Sequence, residues 1–280
     1  MQKILWRSQC PHQLCASLRA QPSHRMSAGA SSASEPDEGA APERKPGARK
    51  RTLRVTTPPL PESVVKEMKT AVGVHLGGNA VSWARLDRGG SLLAWDSVDL
   101  AASTRRAHPT KLFQQAMEMK QLLPPGDVYV LEDRASGGHQ SQQQQASLQS
   151  GSQQLSAMLL TLINLDSAPA GGAVDGLFKQ RVYFLRARLS ARLFRTMVGS
   201  ERVSARSVVE DMLSPGGAAS SSGPHRPAVL APPALVHGYR SSADARQENL
   251  CRALLLTMTF LELAVRRNPE AISYVSGQPK

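Results

Sequence analysis

Two apolar segments constrain the fold of this chain more than any other feature of its sequence. Residues 72–87 are predicted to form a strand, a tight turn from Gly77 to Asn79, and a returning strand. Residues 127–132 are predicted to form a short buried strand that ends on the carboxylate of Glu132. The two segments therefore predict a β-sheet that presents a carboxylate at the end of one of its strands.

Strands and helices alternate along most of the remaining sequence. We expect strands at 71–77, 80–87, 91–98, 127–132 and 181–185, and helices at 63–68, 110–123, 154–165, 204–213 and 242–267, with a further basic helix between 185 and 197. This alternation predicts an α/β domain with a central mixed sheet flanked by helices.

Composition divides the chain into a targeting segment, a linker, one folded domain and a tail. The predicted boundaries are 1–26 for a transit peptide, 27–61 for a disordered basic linker, 62–268 for the folded domain and 269–280 for a flexible tail. Two low-complexity inserts are expected within the domain. One lies near 135–152 and includes a glutamine tract, and the other lies near 214–233 and is rich in Gly, Ser and Pro.

The N-terminal segment has the composition of a mitochondrial transit peptide. Residues 1–34 contain no Asp or Glu, while Lys3, Arg7, Arg19 and Arg25 supply positive charge beside scattered apolar residues. The alternative is a disordered basic tail without a targeting role. No apolar stretch approaches the length of a membrane span, so the sequence predicts a mitochondrial matrix protein without a membrane partner.

The formal charge of +12 favours an anionic partner, most often a nucleic acid. A basic arm ahead of the first long strand contains Arg49, Lys50, Arg51 and Arg54. Such an arm neutralises phosphates without reading sequence, or it is a solvated linker.

A second basic cluster follows the last predicted strand. Positions 188, 192 and 195 are spaced to lie on one side of a helix, and the predicted cluster consists of Arg186, Arg188, Arg192, Arg195, Arg202 and Arg206. A row of guanidinium groups can follow a phosphate backbone. The alternative is a soluble amphipathic surface, and without interleaved aromatic residues no base readout is expected.

The last predicted helix carries an apolar stripe at Leu250, Leu254, Met258, Leu261 and Val265. This spacing predicts a face that packs on the core, although a dimer contact would show the same pattern. Cys251, on or beside this face, is expected to be a core residue rather than a nucleophile.

Residues 73–77 are similar to the first strand of resolvases that cut four-way DNA junctions, which typically reads Gly-hydrophobic-Asp-x-Gly. These nucleases have a ribonuclease H-like fold and hold two metal ions between carboxylates. The resemblance places His75 at the first aspartate and matches Glu132 and Glu248 to two of the acids, while Arg252 stands at another acidic position. It therefore implies a ribonuclease H-like pseudonuclease that holds no metal and uses no cofactor.

Four collinear segments resemble one family more closely. Residues 82–88, 127–132, 197–200 and 260–265, within roughly 43–267, are similar to the C-terminal domain of mitochondrial transcription elongation factors. The resemblance implies a nucleoid protein that binds mitochondrial RNA polymerase and the backbone of DNA and RNA–DNA hybrids, and that forms a homodimer. Members of the family usually carry a helix-hairpin-helix module, and in its place we expect only the low-complexity residues 27–42.

Two other functions remain open at the level of sequence. One is an active junction-resolving nuclease that uses Glu132, Glu248 and either Asp133 or Asp87 in a rearranged metal site. The other is a structural nucleoid protein that binds DNA without contacting the polymerase.

Overall fold

The structure is a computed structural model, and it describes residues 53–77, 80–100, 108–133, 142–166, 180–198, 201–214 and 227–277. The predicted transit peptide lies outside the described residues. So do Arg49, Lys50 and Arg51 of the predicted basic arm.

The domain is organised around a six-stranded mixed sheet. Its strands are β1 (Thr56–Thr57), β2 (Thr70–Gly77), β3 (Ala80–Asp87), β4 (Leu92–Asp99), β5 (Val128–Glu132) and β6 (Val182–Leu185). Their order across the sheet is β1-β6-β5-β2-β3-β4. β2, β3 and β4 form an antiparallel meander, β5 and β6 run parallel to β2, and β1 is antiparallel to β6. This arrangement confirms the predicted α/β class with a central mixed sheet, and it confirms the five predicted strands.

Helices cover both faces of the sheet. They are α1 (Glu62–Glu67), α2 (Pro109–Leu122), α3 (Gln142–Leu165), α4 (Leu189–Leu193), α5 (Arg206–Leu213), α6 (Pro233–Arg240), α7 (Asp244–Phe260) and α8 (Pro269–Ser276), and a π-helical turn, Leu261–Val265, extends α7. Two short strands, β7 (Met197–Val198) and β8 (Glu201–Arg202), pair antiparallel with each other. No helix within the described ranges has both the length and the apolar character needed to cross a bilayer.

The alternation of side chains along each strand produces two cores. One, between the sheet and α2 and α3, contains Val72, Val74 and Leu131. The other, on the opposite face, contains the predicted apolar stripe of α7, which is buried at every one of its five positions. The prediction that this stripe packs on the core is therefore confirmed.

Helix α7 packs directly on β2 because Gly73 has no side chain. A Cβ at position 73 would lie 2.1 Å from Oγ1 of Thr257, whose hydroxyl donates to the carbonyl oxygen of Ala84 at 3.1 Å. Such a close approach of helix and strand tolerates only glycine. The packing brings the N-terminal half of α7 over the ends of the central strands.

Cys251 lies within this second core, as expected. Its thiol is buried and is 3.4 Å from the hydroxyl of Tyr239, whose ring stacks on Trp95 at 4.5 Å. Burial raises the pKa of the Cys251 thiol to about 12. The group is therefore a neutral packing element near pH 7.

The predicted flexible tail is wrong for residues 269–276, which form α8. Oδ1 of Asn268 accepts the backbone N–H of Glu270 at 3.0 Å, and Pro269 occupies the first helical position. An Asn-Pro pair that stops one helix is also a start signal for the next. Ala271 and Val275 then bury the inner face of α8.

The other boundary differences lie at the edges of predicted irregular segments. α3 begins at Gln142, so the predicted loop near 135–152 is wrong from residue 142 onward. Gln, Ala and Leu favour helix, and no proline interrupts this segment. Thr56 and Thr57, predicted to be linker, pair with Leu185 and Phe184. At the end of the predicted insert near 214–233, the backbone N–H of Val229 donates to the carbonyl oxygen of Met212 at 3.0 Å.

Candidate functional site

His75 and Glu132 lie side by side at the carboxyl ends of two parallel strands. Val74 of β2 is in register with Leu131 of β5, so the following residue of each strand turns to the face that α7 covers. His75 is buried, with 4% of its surface exposed, and Glu132 is half-buried. The carboxyl ends of parallel strands are a common location for ligand sites in α/β folds.

Helix α7 adds the two remaining residues of the predicted site. Glu248 and Arg252 lie one helical turn apart, and they line a pocket of about 50 Å³ together with His75 and Glu132. Thus the structure brings all the residues predicted to occupy the vestigial nuclease site to one place. The pocket is large enough for only a few water molecules.

The Glu248 carboxylate is held by three groups. Its Oε2 accepts the hydroxyl of Ser204 at 2.9 Å and the backbone N–H of Ala205 at 3.1 Å. Its Oε1 accepts Nε of Arg252 at 3.0 Å. The carboxylate therefore satisfies a backbone donor at the start of α5, where Ser204 also accepts the N–H of Arg206 at 3.2 Å.

The sequence gives no indication that Glu248 contributes to the start of this helix. The two segments are more than forty residues apart, and no local motif links them.

Glu132 and His75 are positioned by backbone features. Oε1 of Glu132 accepts the backbone N–H of Arg188 at 3.3 Å, at the left-handed turn that starts α4. A Cβ at position 77 would lie 2.7 Å from Nε2 of His75 and 2.8 Å from Oδ1 of Asn249. Glycine at position 77 therefore leaves room for the imidazole beside Asn249, a neighbour that the sequence did not indicate.

The donor set of the pocket does not match a pair of magnesium ions. Magnesium needs several anionic oxygens in near-octahedral geometry, whereas the pocket combines two carboxylates with an imidazole and a guanidinium group. Arg252 also adds a positive charge where two dications would have to gather. Among the described residues, no three or more His, Cys, Asp or Glu side chains are grouped so as to hold a metal ion.

The predicted row of arginines along one helix is wrong. α4 contains only Leu189–Leu193, and the backbone is left-handed at Arg188 before it and at Arg195 after it, with φ of 65° and 51°. Because these turns break the helix, positions 188, 192 and 195 do not share a helical face.

The predicted arginines differ in the contacts that their side chains make. Arg54, Arg186, Arg188, Arg192 and Arg195 are all exposed, and the guanidinium of Arg195 lies over the ring of Tyr274 at 5.1 Å.

Arg206 pairs with Asp244 at 2.8 Å, and the side chain of Arg202, on β8, lies outside the described part.

The chain matches no protein-family model. It is 27% identical over 225 residues to the mitochondrial transcription elongation factor of Mus musculus, covering 76% of this chain and 56% of that protein. The corresponding protein of Bos taurus is 26% identical over 217 residues, with 76% and 57% covered. This chain thus spans little more than half the length of these curated relatives.

Solved structures of Thermus thermophilus RuvC also align with this chain. RuvC alone aligns with a TM-score of 0.39 and 11% identity over 71% of this chain and 96% of that one. RuvC in complex with a Holliday junction substrate aligns with a TM-score of 0.38 and 14% identity over the same shares. The two curated relatives confirm the predicted resemblance to mitochondrial transcription elongation factors.

Proposed function

We propose that this chain is a non-catalytic factor in mitochondrial transcription elongation. It binds mitochondrial RNA polymerase and the nucleic acid backbone, and it increases the length of RNA made before the polymerase dissociates. The names of the curated relatives support the general role. The single observation that supports a non-catalytic mechanism is the contact of Arg252 with Glu248 within the predicted nuclease site.

The pairing of Glu248 opposes metal-dependent cleavage in two ways. Its oxygens accept bonds from Ser204, Ala205 and Arg252, so metal binding would have to displace them. The Arg252 guanidinium also neutralises a charge that two-metal phosphoryl transfer requires. His75 contributes a ring nitrogen, which suits zinc or copper better than magnesium.

The proposed contact with nucleic acid uses the exposed arginines near the same strand ends. Arg186, Arg188 and Arg192 have no ion-pair partner within the described residues and are free to meet phosphate oxygens. Guanidinium groups bind phosphate in a forked geometry, which provides affinity without sequence preference. Bound beside the polymerase, such a surface slows dissociation of the template, which is an effect on off-rate rather than chemistry.

Run-off transcription tests the elongation function. Mitochondrial RNA polymerase is assayed on a long template at fixed salt with and without this chain, and abortive products report initiation separately. We expect longer transcripts at unchanged initiation. Unchanged transcript length, with the chain shown to be folded and bound to the template, would contradict the proposal.

A cleavage assay tests the absence of catalysis. The chain is incubated with a labelled four-way DNA junction in Mg²⁺ and in Mn²⁺, beside a Glu132→Gln variant. We expect no cleavage above the level of the variant. Cleavage that disappears in Glu132→Gln would instead support a junction-resolving nuclease.

The proposed location is the nucleoid of the mitochondrial matrix, and the proposed assembly is a homodimer. A fluorescent fusion at the C-terminus is expected to overlap with mitochondrial DNA. Light scattering on the purified protein is expected to give twice the mass of the monomer. A cytosolic signal would contradict the proposed location, and a monomer at micromolar concentration would contradict the proposed homodimer.

A further inference from the structure

A second and larger cavity lies on the opposite face of the sheet from α7. It has a volume of about 490 Å³ and lies between α3 and the carboxyl ends of β2, β5 and β6. This volume is within the range of pockets that bind ligands or partner side chains.

The walls of this cavity, which we call the α3 cleft, are mostly apolar and incompletely covered. Leu76 and Phe184 on the sheet and Leu160 on α3 are each only half-buried, although all line the cleft. Ala157, also on α3, is exposed and lies in the same wall. An apolar group placed between them would remove this surface from water, which is favourable by about 25 cal/mol per Å².

The mouth of the α3 cleft is acidic. Glu132 and Asp133, at the end of β5, both line it beside His75, and none of its described lining residues is Lys or Arg. His75 and Glu132 also line the smaller pocket beneath α7. This contrasts with the chain as a whole, whose formal charge is +12. Two carboxylates repel phosphate and attract a cation, so this cleft favours a different occupant from the exposed arginines.

The cleft also reaches an edge of the sheet. Thr57 of β1 lines it, and within the described part of the chain β1 is an edge strand whose one neighbour is β6. Edge strands are open to an added polypeptide segment, whereas a small free ligand gains nothing from that edge.

We propose that the α3 cleft docks a segment of a partner protein. The segment places an apolar side chain between α3 and the sheet and sets a neighbouring Lys or Arg against Glu132 and Asp133. The acidic mouth, the half-buried apolar walls and the position at the sheet edge together select this occupant. The cleft shares His75 and Glu132 with the pocket beneath α7, but its lining includes none of the exposed arginines, so either proposal can fail without the other.

The test uses two labelled peptides that share an apolar centre. One reads Lys-Leu-Phe-Lys and the other Glu-Leu-Phe-Glu, both with blocked ends, and binding to the full chain is measured by fluorescence polarisation at low salt. We expect the lysine peptide to bind at least about tenfold more tightly than the glutamate peptide. Equal binding, or no binding of the lysine peptide at millimolar protein, would overturn the proposal.

Variants separate the cleft from the rest of the surface. Ala157→Phe fills the cleft and is expected to weaken the lysine peptide by at least about tenfold. Gln154→Phe places the same ring on an exposed position of α3 outside the cleft lining, and we expect unchanged binding. Asp133→Asn is expected to weaken binding by about threefold, with a reduced salt dependence.

Both phenylalanine variants must retain the thermal transition and the DNA affinity of the unmodified chain. Equal peptide binding by Ala157→Phe and the unmodified chain would show that the peptide binds elsewhere and would overturn the proposal.

Discussion

Nε of Arg252 lies 3.0 Å from Oε1 of Glu248, one turn earlier on α7 and within the predicted nuclease site. The side chains are 31% and 21% exposed, respectively, so solvent screens this pair less than a surface ion pair. This carboxylate, which the sequence predicts to match a metal ligand of resolvases, joins α7 to the start of α5 through Ser204 and Ala205. Glu248 therefore links two separate segments of the domain.

The first prediction concerns this contact. Glu248→Gln keeps the size of the side chain but removes its charge and part of its capacity to accept three donors. We expect the free energy of unfolding in urea to fall by about 1–2 kcal/mol. Arg246→Gln is the control, because Arg246 forms a more exposed pair with Asp96, and its loss is expected to cost less than about 0.5 kcal/mol. Equal losses in the two variants would show that Glu248 has no special role.

The second prediction concerns the close packing of α7 on β2. Gly73→Ala places a Cβ 2.1 Å from Oγ1 of Thr257 and 3.0 Å from the backbone of the same helix. Because the helix has to move, we expect a loss of about 2–3 kcal/mol in the free energy of unfolding. Gly238→Ala, in α6, meets no atom within 4 Å and is expected to gain about 0.5–1 kcal/mol. A neutral Gly73→Ala would contradict the proposed packing.

The third prediction concerns the buried thiol. Burial raises the pKa of Cys251 to about 12, so almost no thiolate exists at pH 8. In a Cys10→Ser, Cys15→Ser variant, we expect the remaining thiol to react with a chromogenic disulfide reagent at least about a hundredfold more slowly in the native than in the unfolded protein. Rapid native-state reaction with one equivalent of reagent would show that Cys251 is accessible.

The fourth prediction is a pH dependence centred on Asp127. Partial burial acts to raise the pKa of Asp127. Hydrogen bonds outweigh this effect and lower the pKa overall; they come from the backbone N–H groups of Lys69 and Thr70 and from the Thr70 hydroxyl, and the charge of Arg181 adds to them. A carboxyl group whose pKa is lower in the folded state stabilises the fold above its ordinary pKa of 3.8, and this contribution is lost as the pH falls through the folded value.

Asp127→Asn tests this dependence. We expect the variant to be less stable than the unmodified chain at pH 7 and the difference to shrink progressively below about pH 4. Chemical unfolding at several pH values measures it. A stability difference that is constant from pH 7 to pH 2 would assign the effect to geometry rather than charge.

The fifth prediction concerns the exposed arginines. Replacing Arg186, Arg188 and Arg192 together by alanine is expected to weaken duplex DNA binding and to lower the slope of log affinity against log salt by about 2 to 3, since each phosphate contact contributes about 0.9. The control replaces Arg240, Arg246 and Arg267 together by alanine, which removes the same formal charge. These three arginines form ion pairs with Glu210, Asp96 and Glu62. The same slope change in both triple variants would show that net charge alone determines binding.

Much of the sheet was predictable from the sequence because its signals are local. The strand at 80–87 follows from a glycine turn signal and the apolar pattern after it, and the strand near 128–132 follows from a short apolar run. The stripe on α7 was predictable for the same reason, since helical spacing reports which side chains face a core. Correspondence with resolvase motifs was also sufficient to select His75, Glu132, Glu248 and Arg252, which the structure places around one pocket.

The failures arise where a local signal has two meanings. The sequence predicts a helix that ends at 267 and a flexible tail from 269, yet Asn268 and Pro269 start α8, which buries Ala271 and Val275. The arginine spacing satisfied a helical pattern, but left-handed residues at 188 and 195 end the helix after five residues. Backbone breaks of this kind depend on surrounding contacts and leave no trace in side-chain periodicity.

By itself, the sequence determined the α/β class, the positions of five strands along the chain and, through its resemblance to resolvases, the residues that meet at the strand ends. These follow from the spacing of apolar residues and from short collinear motifs, which need no knowledge of distant contacts. Only the tertiary structure decided what Glu248 does, because its partners Ser204 and Ala205 come from a separate segment and meet it only after α7 docks on Gly73. The α3 cleft likewise exists only once α3 packs against the sheet, since a cavity belongs to the space between elements and not to either of them.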